Sequence, residues 1–191
     1  MTNALFRFGE TTLATGAYVL RILLRRPADI RFGRFNQGQP IFLTHGEYAY
    51  VGSAMGTKGA SQLGSRLLRH ATRSEDHLPH PIRHHLEIAF RRPPPRQKTP
   101  FWHIDYLLDS PAAELTHVYA VHASLRLEVT IAALLQENPH TTVIVPGLGA
   151  SDARQHTHLL RVAADERWWT RWLVNQLEAL EKQKPGMSSP G

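Results

Sequence analysis

Apolar residues in the first third of the chain recur with a period of two. In GAYVLRILLRR, Tyr18, Leu20, Ile22 and Leu24 alternate with Val19, Arg21 and Leu23. In GEYAYVGSAMG, Tyr48, Tyr50 and Gly52 alternate with Ala49, Val51 and Ser53. A side-chain period of two marks a β-strand. Short β-rich pieces around Ile30 to Phe35 and Ile41 to Thr44 lie between these runs, separated by the turn-forming NQGQP. Gly16 to Ser53 is therefore expected to fold as an antiparallel meander.

The period then changes. In GASQLGSRLLRHATRS, Leu63, Leu67 and Ala71 stand at helical spacing, beside a basic stripe of Arg66, Arg69 and Arg73. From His77 the chain is rich in histidine, arginine and proline, and it ends this section in RRPPPRQK, an extended loop or arm. FWHIDYLLDS follows, then a strand-like LTHVYAVHA, a helix over about Ser124 to Glu137, a β-rich TTVIVPG, the turn GLGASD and a strand HTHLLRVA. In the last helix, DERWWTRWLVNQLEALEKQK, an apolar stripe runs through Trp169, Trp172, Leu173, Leu177 and Leu180. No repeat interrupts this order. The pattern predicts one α+β domain over residues 1–184, with a small, mainly antiparallel central sheet flanked by helices and extra C-terminal strands and a helix. Residues 77–100 read as a basic insertion and 185–191 as a disordered tail.

Composition narrows the function classes. A chain of 191 residues with 42% hydrophobic content can build a proper core. No apolar run approaches the roughly 20 residues that span a bilayer, so no membrane segment is expected. The opening MTNALFRFGE lacks a secretory h-region. With no cysteine at all, disulfides and thiolate metal sites are excluded, and a reducing cytoplasm is the expected location. A net charge of +6, with twelve histidines uncounted, fits either a polyanionic partner such as nucleic acid or a plain solvated basic surface.

Candidate chemistry gathers at a few positions. Tyr18 and Tyr50 fit two strands whose tyrosines face one another, a pattern that simple packing also produces. Arg66 and His70, four apart on a helix, share a face. Glu128 shares the apolar face of its helix with Ile131, Ala132 and Leu135; a carboxylate there needs a cation, whether an arginine or a metal. His103 and Asp105 share a face if WHIDYL is a strand and diverge if it is a helix. HLPHPIRHH invites a zinc site through His80 and His84, or a mobile basic segment whose protonation below about pH 6.5 strengthens phosphate contact. Ser151 in GLGASD serves as an N-cap or a phosphate contact. The tryptophans read as core, with base stacking by Trp168 as the rival.

Taken in order, these residues resemble a known family. Gly16-Ala17-Tyr18 and Tyr50-Val51-Gly52 look like the two halves of the GIY-YIG nuclease signature. Arg66 and His70 match its R-x-x-x-H, and Glu128 its later helical glutamate. The series YVGSAMG, RLLRH, WHIDYL, PGLGASD and HLL is similar to the Uri-type branch of these endonucleases, from Gly16 to about Val162. The chain departs from the pattern in G-A-Y for G-I-Y, in a long gap between the tyrosine motifs, in residues 77–100, and in Ala153, where the family often has cysteine.

The resemblance implies an endonuclease that hydrolyses DNA phosphodiester bonds with one Mg²⁺ or Mn²⁺. It implies that Tyr50, assisted by Tyr18, orients or deprotonates the attacking water, that Arg66 stabilises phosphate charge, and that His70 orients the nucleophile or moves a proton. Glu128 would hold the metal, with Asp105 as a rival ligand and Asp152 as a weaker one. Gly52, Ser53, Lys58, Arg69 and Arg73 are expected along the substrate path, Gly52 by leaving room for a phosphate. Two other readings stay open: a non-catalytic DNA-binding or adaptor module on the same fold, and a zinc-histidine hydrolase using the central histidine cluster.

Overall fold

Both parities of GAYVLRILL are apolar except at Arg21, so a strand built from it must be covered on both faces. It forms β2 (Gly16–Leu24), a nine-residue strand with every residue but Leu23 buried. The computed structural model of the chain describes residues 3–75, 77–149 and 157–183. In it, β5 (Gly46–Ala54) and β6 (Ala113–His122) lie antiparallel on either side of β2. Outside β6 runs β1 (Leu5–Gly9), parallel to it, and beyond β5 come β8 (Leu159–Val162) and β7 (Thr141–Val143). The sheet order is β1-β6-β2-β5-β8-β7.

Five helices flank this sheet among the described residues: α1 (Leu63–His70), α2 (Arg83–Phe90), α3 (His103–Asp109), α4 (Glu128–Gln136) and α5 (Leu173–Lys182). The class is α+β, with a mostly antiparallel, mixed six-stranded sheet. Tyr18, Leu20, Ile22, Tyr48 and Tyr50 face one core, closed by Leu63 and Leu67 of α1, Leu86 of α2 and Ile104 and Leu107 of α3. Ala17, Val19, Ala49, Val51 and Tyr119 face the other, closed by Ile131 and Leu135 of α4 and by Trp169, Leu173 and Leu177. Among the described residues no helix is long and apolar enough to cross a membrane.

Several expectations are corrected. The stretch from Gly16 to Ser53 is not a meander: β3 (Ala28–Ile30) and β4 (Ile41–Leu43) pair with each other in a separate two-stranded sheet, and β5 returns directly to β2. β1 carried no clear periodic signal in five residues and is defined by its parallel pairing with β6. α4 begins at Glu128 rather than near Ser124. Trp168 is buried, packed on Trp169 and Trp172, which removes it from any base-stacking role. Residues 185–191, Ser151, Asp152 and Ala153 lie outside the described residues.

The largest correction concerns residues 77–100. This segment is packed on the core instead of forming a mobile arm. His80 is buried; its Nδ1 accepts the Leu115 N–H at 3.0 Å and its Nε2 lies 3.0 Å from the Leu108 carbonyl. With both nitrogens engaged by backbone, His80 has no lone pair for zinc. Burial, with Arg73 and Lys98 nearby, pushes its pKa down to about 3. Protonation near pH 6.5 therefore cannot tune a phosphate contact through this residue. Lys98 is buried as well, donating to the Thr72 carbonyl and pairing with Asp109 at 2.8 Å.

Candidate active site

The antiparallel register of β2 and β5 sets Leu20 opposite Tyr50 and Tyr18 opposite Gly52. Tyr18 and Tyr50 therefore share a face as diagonal neighbours, with ring centroids 6.4 Å apart. Gly52 is bare because Tyr18 lies over it: a Cβ at Gly52 would stand 2.4 Å from the Tyr18 hydroxyl oxygen. The room left by Gly52 is filled by Tyr18, so the expected phosphate berth at this glycine is corrected. Gly52→Ala is expected to cost about 1–3 kcal/mol through overpacking, read as a lowered urea midpoint with an unchanged m-value.

At the end of the sheet where β2 begins and β5 stops, a cleft of about 170 Å³ opens between the helices of the two faces. Tyr18, Tyr50, Ser53, Arg66 and Glu128 line it, joined by Trp102, Arg126, Gly149 and His158. Arg66 comes from α1, its guanidinium 3.9 Å from the centre of the Trp102 ring. Glu128 comes from the first turn of α4 on the opposite face. Its Oε2 accepts the Ser53 hydroxyl, and its Oε1 lies 3.1 Å from Nδ1 of His158. Burial would raise the Glu128 pKa, but the His158 and Ser53 contacts, with Arg66 adding its charge, bring it below the ordinary value. It is a carboxylate at neutral pH.

Behind the cleft runs a buried polar chain. The Tyr18 hydroxyl is 2.8 Å from Nε2 of His70, and Nδ1 of His70 faces Oδ1 of Asp105 across 3.6 Å. The carboxylate opposite Nδ1 favours a proton there, leaving Nε2 to accept from Tyr18. Burial lowers the His70 pKa, so the imidazole is neutral. Burial likewise pushes both tyrosine hydroxyls far above their ordinary value, so neither is a standing phenolate.

Asp105 is not a second metal ligand of this cleft. WHIDYL is a helix, which turns Asp105 inward while His103 turns away to accept the Gly149 N–H. Asp105 is fully buried; Oδ2 accepts from Arg69 at 2.9 Å and from the Phe101 and Trp102 N–H groups, and Lys98 lies 3.6 Å from Oδ1. His70 is also fully buried and touches the cleft only through Tyr18. Arg69 and Arg73 leave the substrate path too. Arg69 is held by Asp105, and Arg73 donates to the carbonyls of Leu78, Leu108 and Ala113. Lys58 is exposed on the loop after β5, outside the cleft lining.

Sequence reasoning missed His158, Trp102 and Arg126. The first two stand inside HLL and WHIDYL, motifs quoted for the resemblance without a role for either residue. Gly149 explains how His158 arrives: at a φ of +91°, it lets the preceding loop lie against His158 and the Tyr50 ring, where a Cβ would sit 3.0 Å from the His158 Cβ. Among the described residues, no group of three or more His, Asp or Glu side chains gathers at metal-holding distance.

The match to known families spans β2 through most of α5: residues 17–180 fit the family described as Domain of unknown function DUF123. The chain belongs to that family. No curated protein and no solved structure matches the chain. Every cleft residue named above falls inside the DUF123 region.

Proposed function

We propose that the chain is a metal-dependent DNA endonuclease of the GIY-YIG type, acting in the cytoplasm on phosphodiester bonds. The observation that carries this reading is the convergence of Tyr18, Tyr50, Arg66 and Glu128, from two strands and two helices on opposite faces, upon one small cleft. A phosphodiester needs a positioned water, a fixed cation for its equatorial oxygens and an anionic group to hold a dication, and these four side chains supply all three.

Glu128 would hold Mg²⁺ or Mn²⁺, which accept few protein ligands and keep several waters. Bound there, the ion would act as a Lewis acid that neutralises phosphate charge. Arg66 binds the phosphate, its plane fixed by Trp102. Tyr50 orients the attacking water through its hydroxyl. The water oxygen forms the new bond to phosphorus as the opposite P–O bond breaks, and the leaving oxygen takes a proton from solvent. The proton lost by the water passes to the Tyr18 oxygen while the proton of Tyr18 moves to Nε2 of His70. Asp105 steadies the resulting imidazolium, and its proton then returns to solvent. A neutral Tyr18 hydrogen-bonded to a neutral His70 relays a proton without a standing phenolate, so the relay falls to Tyr18 more than to Tyr50.

Incubation with supercoiled plasmid in Mg²⁺ or Mn²⁺ tests the reading. Nicked circles are expected, to be lost with chelator and in Glu128→Ala. Salt-sensitive DNA binding without nicking under either metal would instead assign the chain as a non-catalytic DNA-binding module.

A further inference from the structure

Among the described residues lining the cleft, His158 alone buries side-chain nitrogens that lack a hydrogen-bond partner. It is 4% exposed, and among the described residues neither Nδ1 nor Nε2 has a hydrogen-bond partner, Nδ1 having only the Glu128 carboxylate at ion-pair distance. Such a group is costly in a folded protein and calls for a reason. Its backbone is firmly placed, since the His158 carbonyl accepts the Val51 N–H and its own N–H reaches the Leu148 carbonyl. The ring is thus held at the cleft by the backbone just before β8.

Nδ1 of His158 sits 3.1 Å from Oε1 of Glu128 without the alignment of a hydrogen bond. Oε2, the other oxygen, is already engaged by Ser53. The separation has a second meaning. Two ligands each about 2.1 Å from an ion, at the right angle of octahedral coordination, stand about 3.0 Å apart. We infer that Nδ1 of His158 and Oε1 of Glu128 are adjacent ligands of one divalent ion, and that the site prefers a first-row transition-metal dication over Mg²⁺. An imidazole nitrogen is a good ligand for transition metals and a poor one for Mg²⁺, which favours oxygen. The inference rests on the nuclease reading, in which Glu128 binds the metal, and adds the second protein ligand and the metal class.

Pulsed EPR of the full chain with stoichiometric Mn²⁺ tests it. The wild-type spectrum is expected to show nitrogen hyperfine coupling from a directly bound imidazole. His158→Asn keeps a polar side chain at the position and is expected to lose that coupling. It should also weaken Mn²⁺ about 10-fold relative to Mg²⁺, measured by the free Mn²⁺ signal in competition. Glu128→Gln is expected to abolish the bound signal. Mn²⁺ that binds through Glu128 with no nitrogen coupling would overturn the role of His158 and leave the nuclease reading standing. Mn²⁺ that fails to bind, or that binds Glu128→Gln as tightly as wild type, would overturn both.

Discussion

Arg66→Ala is expected to lower plasmid nicking by about 10²- to 10³-fold, the usual loss when one fixed charge-stabilising donor is removed from a transition state. The guanidinium lies over Trp102 at 3.9 Å, so its plane is fixed before substrate arrives. Loss of that stacking should cost only about 0.5–2 kcal/mol of stability, which separates a catalytic effect from unfolding. Arg66→Lys is the sharper comparison. Lysine keeps the charge but loses the planar fork that grips two phosphate oxygens and stacks on an indole. Its rate should fall between the other two. Equal nicking by wild type and Arg66→Ala would remove Arg66 from the chemistry and the nuclease reading with it.

The second large effect is structural. Asp105→Asn is expected to destabilise the protein by about 3–5 kcal/mol, because Arg69 loses its carboxylate and Lys98 keeps only Asp109. Urea unfolding at neutral pH measures this. The pH dependence identifies the cause. Burial would raise the Asp105 pKa, yet His70, Lys98 and the Phe101 N–H outweigh burial and hold it far below its ordinary 3.8. A carboxylate with a depressed folded pKa contributes stability that is present above its unfolded pKa and lost as pH falls through the folded one. Wild type should therefore lose stability steeply below about pH 4, and Asp105→Asn should lack that component. His80 acts in a separate window. Its folded pKa of about 3 lies below the 6.5 of an unfolded histidine, so its contribution is whole above pH 6.5 and drains away between 6.5 and 3. That part should survive in Asp105→Asn.

These two residues also show where local sequence stops informing. The shared face of Tyr18 and Tyr50 came from the register between the strands, but the period of two in β2 and β5 is a local property of alternating side chains, so the companions of each tyrosine on its own strand were legible from spacing. The four-residue step from Arg66 to His70 was legible for the same reason. Whether WHIDYL is helix or strand was not, because so short a stretch supports either period, and the fate of Asp105 turned on it. Arg69 and Arg73, in one basic stripe with Arg66, were expected along the substrate path because charge is usually exposed. Arg69 and Arg73 turn inward only because Asp105, on α3, and the carbonyls of Leu78, Leu108 and Ala113 are brought there by distant chain.

The sequence by itself determined the period of the strands that carry the tyrosines, the helix that carries Arg66, and the placing of a carboxylate at Glu128, since each follows from side-chain spacing within one element. The tertiary structure alone decided that Arg66 and Glu128, on opposite faces of the sheet, meet at its end, that His158, just before β8, joins Glu128 from far along the chain, and that residues 77–100 pack down through His80 and Lys98. Those outcomes depend on pairing and burial between segments far apart in the chain, and no local period encodes them.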